Sequence, residues 1–97
     1  MDRQPAVWMT REDERILECL ASDAIATPHL ISCEVFKKVS EGHVRERLQM
    51  LQYAGLVACD CMDPWELTRR GERYLAGELN ATHQPRPTVE RVLRGRS

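Results

Sequence analysis

The chain has 97 residues, 42% of them apolar and 30% charged, with a formal net charge of −1. That supports one small domain with a single core, and no window approaches the roughly 18 apolar residues of a membrane span. Residues 1–9 also lack the apolar run of a secretory signal, so the expected compartment is the cytoplasm.

Residues 1–9 hold Pro5 and Trp8 and show no period, which reads as an N-terminal arm. Thr10 with Asp13 then resembles a capping box, with Asp in place of the usual Glu or Gln. The helix it opens runs to Ala21 or Ser22, with Ile16, Leu17 and Leu20 inward and Arg11, Glu14, Arg15 and Glu18 outward. Ile25-Ala26 has the length of a bridge strand. Thr27-Pro28 is an N-cap followed by proline at the first helical position, predicting a helix to Phe36 that packs Leu30, Ile31, Val35 and Phe36 inward. Lys37 to Val39 form the turn.

From Ser40 to Glu78 the pattern is a helix, a small hairpin and a second helix. Ser40 caps a helix over Glu41 to Ala54, and Gly55 closes it. At 100° per residue, Val44, Leu48 and Leu51 fall within about 60° of one another and mark the buried side. The opposite side carries Gly42, Glu46, Gln49 and Tyr53, flanked by His43 and Arg45, with Arg47 nearer the buried edge. Leu56 and Val57 begin a strand, Asp63-Pro64 turns the chain, and Trp65-Glu66-Leu67 returns. Thr68 caps a last core helix to Asn80, interrupted by Gly71. A mid-helix glycine costs roughly 1 kcal/mol against alanine, so a close approach to neighbouring elements is expected there.

The remainder, residues 81–97, breaks at Pro85 and Pro87 and offers a short helix over 88–94 with Val89, Val92 and Leu93 on one side. Charge is unevenly divided. Residues 1–79 hold 10 Lys/Arg against 14 Asp/Glu, whereas residues 80–97 hold four Arg against one Glu. A basic tail on a mildly acidic body points toward a polyanion, or is a solvated terminus.

The predicted fold is α+β and mainly helical: a winged helix-turn-helix with a three-helix core, a short hairpin wing and a C-terminal helix, spanning residues 10–80. Its commonest use is reading duplex DNA. An enzymatic reading finds no support, because no Gly-rich phosphate loop, Ser-His-Asp order or His-Glu-x-x-His run is present. Glu12, Asp13 and Glu14 are explained by a helix N-terminus, where the macrodipole favours carboxylates. Cys19, Cys33, Cys59 and Cys61 include no C-x-x-C pair, so they read as reduced, partly buried thiols and no cofactor or metal is expected. Cys59-x-Cys61 does place two sulfurs on one side of a strand, leaving a thiol- or metal-responsive regulator as an alternative.

Three groups of residues carry a resemblance. Trp8-Met9-Thr10-x-x-Asp13-x-x-Ile16-Leu17 is followed by Ala26-Thr27-Pro28 and by Gly55-Leu56-Val57. The closing run is Leu67-Thr68-x-x-Gly71-x-x-Tyr74-Leu75-x-Gly77-Glu78-Leu79. Over about residues 7–80 the chain resembles the small winged-helix proteins of haloarchaea related to a halophage repressor. The resemblance implies an archaeal homodimeric DNA-binding transcriptional regulator, most often a repressor. It also makes 28–36 the positioning helix and 41–54 the recognition helix. Unlike that group, the chain is nearly neutral, and its wing carries Asp60 and Asp63 with no basic residue.

With double-stranded DNA as partner, residue chemistry assigns roles. Arg45 suits guanine and Gln49 adenine, each in bidentate fashion, and Glu46 accepts from cytosine or orients an arginine. Lys37, Lys38, Ser40 and Arg47 are placed for phosphates, which set affinity and register. His43 suits either role. Arg69 and Arg70, beside the wing, stand in for its missing cations. The rival reading is a winged-helix module that binds protein and no DNA.

Overall fold

The computed structural model describes residues 3–23, 25–26, 40–59 and 65–94. The expected helix over 28–36, the Lys37-Lys38 turn and the wing tip lie outside them. In chain order the elements are α1 (Arg11–Asp23), β1 (Ile25–Ala26), α2 (Glu41–Tyr53), β2 (Val57–Cys59) and β3 (Trp65–Leu67). They continue with α3 (Arg69–Leu75), a 3-10 turn (Ala81–His83) and α4 (Val89–Arg94). Among the described residues no helix is long and apolar enough to cross a membrane.

The architecture is a winged helix. β2 and β3 form the antiparallel hairpin, in register Val57↔Leu67, Ala58↔Glu66 and Cys59↔Trp65. The two-residue β1 adds to the other edge of β3, pairing Ile25 with Glu66 and Ala26 with Trp65, so the sheet order is β1-β3-β2. The helix periodicities hold. Ile16, Leu17 and Leu20 of α1 and Val44, Leu48 and Leu51 of α2 are fully buried, together with Leu56, Val57 and Tyr74, and Trp65 is buried beside them.

Helix starts follow the side chains named above. Thr10 N–H donates to Asp13 Oδ2 at 2.9 Å and Asp13 N–H to Thr10 Oγ1 at 3.4 Å, the reciprocal pair of a capping box. Thr68 Oγ1 accepts from Gly71 N–H at 3.1 Å and donates to the Gly55 carbonyl at 2.7 Å, joining the start of α3 to the end of α2. α2 ends at Tyr53 with Ala54 as its cap, and Gly55, at φ 85°, closes it as expected. The last core helix does not run to Asn80: α3 stops at Leu75 with Ala76 as its cap. Gly77 sits at φ 79°, a left-handed conformation that glycine adopts without penalty. There Gly77 N–H donates to the Tyr74 carbonyl at 3.0 Å and Glu78 N–H to Arg73 at 2.8 Å, the two bonds of a Schellman ending.

The N-terminal residues are strapped to the body. Gln4 forms a parallel bridge with Asn80, and its carbonyl accepts from Ala81 N–H at 2.9 Å. Arg3 Nε donates to the Leu75 carbonyl at 3.2 Å, and its guanidinium pairs with Glu14 at 3.2 Å and Glu18 at 3.7 Å. Glu14 is therefore half-buried, not outward. It also accepts the hydroxyl of Tyr74, which is fully buried. Burial first, and then the Glu14 carboxylate, push the Tyr74 hydroxyl pKa above its usual value near 10. The unfolded chain loses that proton near pH 10 and the folded one later, so stability should fall as pH rises past about 10. Denaturant melts at about pH 9 and 11 should show the decline, and Tyr74→Phe should flatten it.

Candidate nucleic-acid interface

α2 begins at Ser40, whose Oγ accepts from His43 N–H at 3.1 Å. With the apolar side of α2 in the core, the other side turns outward. Gly42 and Glu46 are exposed, Gln49 is half-buried, and Tyr53 is 36% exposed. A Cβ added at Gly42 would meet nothing nearer than Ser40 Oγ at 4.0 Å, so the first turn is open to an approaching surface.

The cations on this helix differ in what holds them. Arg45 lies 3.8 Å from Glu41 one turn earlier, with side-chain exposures of 40% and 47%. Such an exposed i,i+4 pair contributes only a few tenths of a kcal/mol. His43 Nε2 lies 2.8 Å from Glu12 Oε2 of α1, an ion pair when the imidazole is protonated.

Arg47 is the correction to the expected set. Its Nε donates to Asp13 Oδ1 at 2.8 Å, and its Nη2 donates to Asp13 Oδ2 at 2.5 Å and to the Trp8 carbonyl at 3.3 Å. The Arg47 side chain is 16% exposed and that of Asp13 not at all. The hydrogen bonds that Arg47 donates to the Asp13 carboxylate hold the guanidinium pKa above its ordinary value despite burial. This fork-on-fork pair clamps α2 to the first turn of α1, so Arg47 faces the protein and not a phosphate. The residue that sequence reasoning missed is Asp13. The signals were a carboxylate in the capping-box position and an arginine at the buried edge of its helix.

Arg69 and Arg70 are both exposed at the start of α3. Arg70 reaches over Gly55, its Nη1 3.1 Å from where a Cβ at Gly55 would stand. It therefore sits at the C-terminal end of α2, where the macrodipole favours a cation, about 15 Å along the axis from Arg45. Glu46 and Gln49 lie on the outward side of α2 with His43 and Arg45 on its two flanks, Ser40 stands at its start, and Arg70 lies at its far end. Lys37 and Lys38 lie outside the described residues.

Cys19 and Cys59 are half-buried against the core, and Cys33 and Cys61 lie outside the described residues. Among the described residues no three His, Cys, Asp or Glu side chains are grouped to hold a metal ion.

No family model and no curated protein matches the chain. Among solved structures, the chain is similar to the PhiH1 repressor-like protein from Haloarcula marismortui. The two are 29% identical, with a TM-score of 0.81 over 90% of this chain and 99% of that one. The winged helix is thus similar in fold to a haloarchaeal repressor-like protein.

Proposed function

We propose that the protein is a sequence-specific DNA-binding transcriptional regulator, a repressor, that works in the cytoplasm as a homodimer and reads the major groove with α2. It is a regulator and not an enzyme. The observation that carries this reading is the outward side of α2, polar and open at its first turn. That helix lies within a fold similar to a repressor-like protein. Arg45, Gln49 and Glu46 take the base edges. Lys37, Lys38 and Ser40 take phosphates, His43 takes either, and Arg69 and Arg70 flank the site. Arg47 is assigned to positioning α2 on α1.

Arg45→Ala should weaken binding to a selected duplex by about 1–3 kcal/mol and relax preference at one base position. Lys38→Ala should weaken all sequences alike. Fluorescence anisotropy on selected and random duplexes checks both, and equal losses on the two duplexes for both variants would defeat the assignment.

A protein-binding module is the second reading, favoured by Glu41 and Glu46 on the same helix as Arg45 and by an acidic wing sequence. Counterion release makes DNA affinity fall steeply with salt. Absence of binding at low salt would select this second reading.

A further inference from the structure

On α2, Arg45 and His43 are matched in number by Glu41 and Glu46, and Arg47 is neutralised by Asp13. The wing sequence adds Asp60 and Asp63. A helix docked in a groove is oriented by phosphate contacts on its flanks, and this one brings little positive charge of its own. After residue 79, by contrast, the chain carries four Arg against one Glu.

The fold carries the described part of this segment, residues 80–94, to α2. Asn80, bridged to Gln4, caps the 3-10 turn through Oδ1, which accepts from Thr82 N–H at 3.0 Å. Ala81 and Pro87 are buried, Gln84 reaches the Gly55 end of α2, and α4 packs against α2. Pro85 and Pro87 each fix φ and stiffen the stretch between. Thr88 Oγ1 accepts from Arg91 N–H at 3.1 Å, and the Arg91 guanidinium donates to the Arg86 carbonyl at 3.1 Å. Arg86 and Arg91 are thus held on one short segment, and both are exposed.

We infer that residues 84–94 form a strap on α2 whose Arg86 and Arg91 bind backbone phosphates beside the groove that α2 occupies. This inference rests on the DNA reading above and adds a contact outside its residues. Arginine's planar fork matches a phosphate, and a phosphate contact strengthens binding to every sequence alike.

The test needs no operator. The full-length chain, Arg86→Gln/Arg91→Gln and Arg86→Lys/Arg91→Lys are titrated with a pool of short random-sequence duplexes from about 50 to 200 mM salt. The glutamine variant should show a salt slope shallower by about 2, so raising salt over that range weakens it about tenfold less than the unmodified chain. The lysine variant should keep the original slope. A glutamine variant that titrates like the unmodified chain overturns the strap and leaves the α2 reading standing. A lysine variant as weak as the glutamine one assigns the loss to packing and also overturns it. An unmodified chain that ignores the pool at the lowest salt removes the DNA reading and the strap together.

Discussion

Arg47→Ala should destabilise the fold by about 3–5 kcal/mol, because it strands a buried carboxylate. Asp13 is fully buried and accepts from Arg47 Nε at 2.8 Å, from Arg47 Nη2 at 2.5 Å and from Thr10 N–H at 2.9 Å. Without the guanidinium only the Thr10 bond remains for a charge with no access to water. The second half of the prediction separates this cause from lost packing. Removing both charges in Asp13→Ala/Arg47→Ala should be milder than Arg47→Ala alone, since no unpaired ion stays behind and the cap contributes only about 1 kcal/mol. Urea melts of the single and double variants measure both. An Arg47→Ala loss below about 1 kcal/mol would mean that water screens the pair, and would undo its assignment as the clamp of α2.

Gly71→Ala should also destabilise, by about 1–3 kcal/mol, although alanine is the better helix former by about 1 kcal/mol. The sign is decided by space. A Cβ at Gly71 would stand 2.3 Å from the Leu56 carbonyl oxygen and 2.6 Å from Leu67 Cδ1. Leu67 can rotate, but the Leu56 carbonyl also accepts from Thr68 N–H at 3.1 Å and cannot move without opening the α3–β2 junction. Thermal melting resolves the two signs. A raised melting temperature would show that helix propensity prevails and that α3 does not sit so closely on the hairpin.

The helices and hairpin were legible because their signals are local. Val44, Leu48 and Leu51 recur at helical spacing, Ser40 and Thr68 are capping residues, and Gly55 is a stop; each does in the fold what its type predicts. Gly71 announced a close approach for the same reason. The end of α3 was not legible, because Gly71, Gly77 and Asn80 are all plausible interruptions and only the backbone at Gly77 selects among them. Longer-range partners were invisible. Gln4 meets Asn80 through backbone groups, which leave no side-chain pattern. Asp13 and Arg47 are 34 positions apart, and each had an adequate local explanation, one as a cap and the other as a surface cation. At the candidate interface the outward side of α2 could be read from helical geometry. The withdrawal of Arg47 from it, and the reach of Arg70 to Gly55, depend on tertiary packing.

Selection of duplexes from a random pool by the purified full-length chain tests most directly whether α2 reads bases in the major groove. The expected product is an enriched motif of two inverted half-sites centred about one helical turn, or 10 base pairs, apart, with one guanine position lost when Arg45 is replaced by alanine. A pool that stays random under binding conditions, or a motif indifferent to Arg45, Glu46 and Gln49 alike, would contradict it.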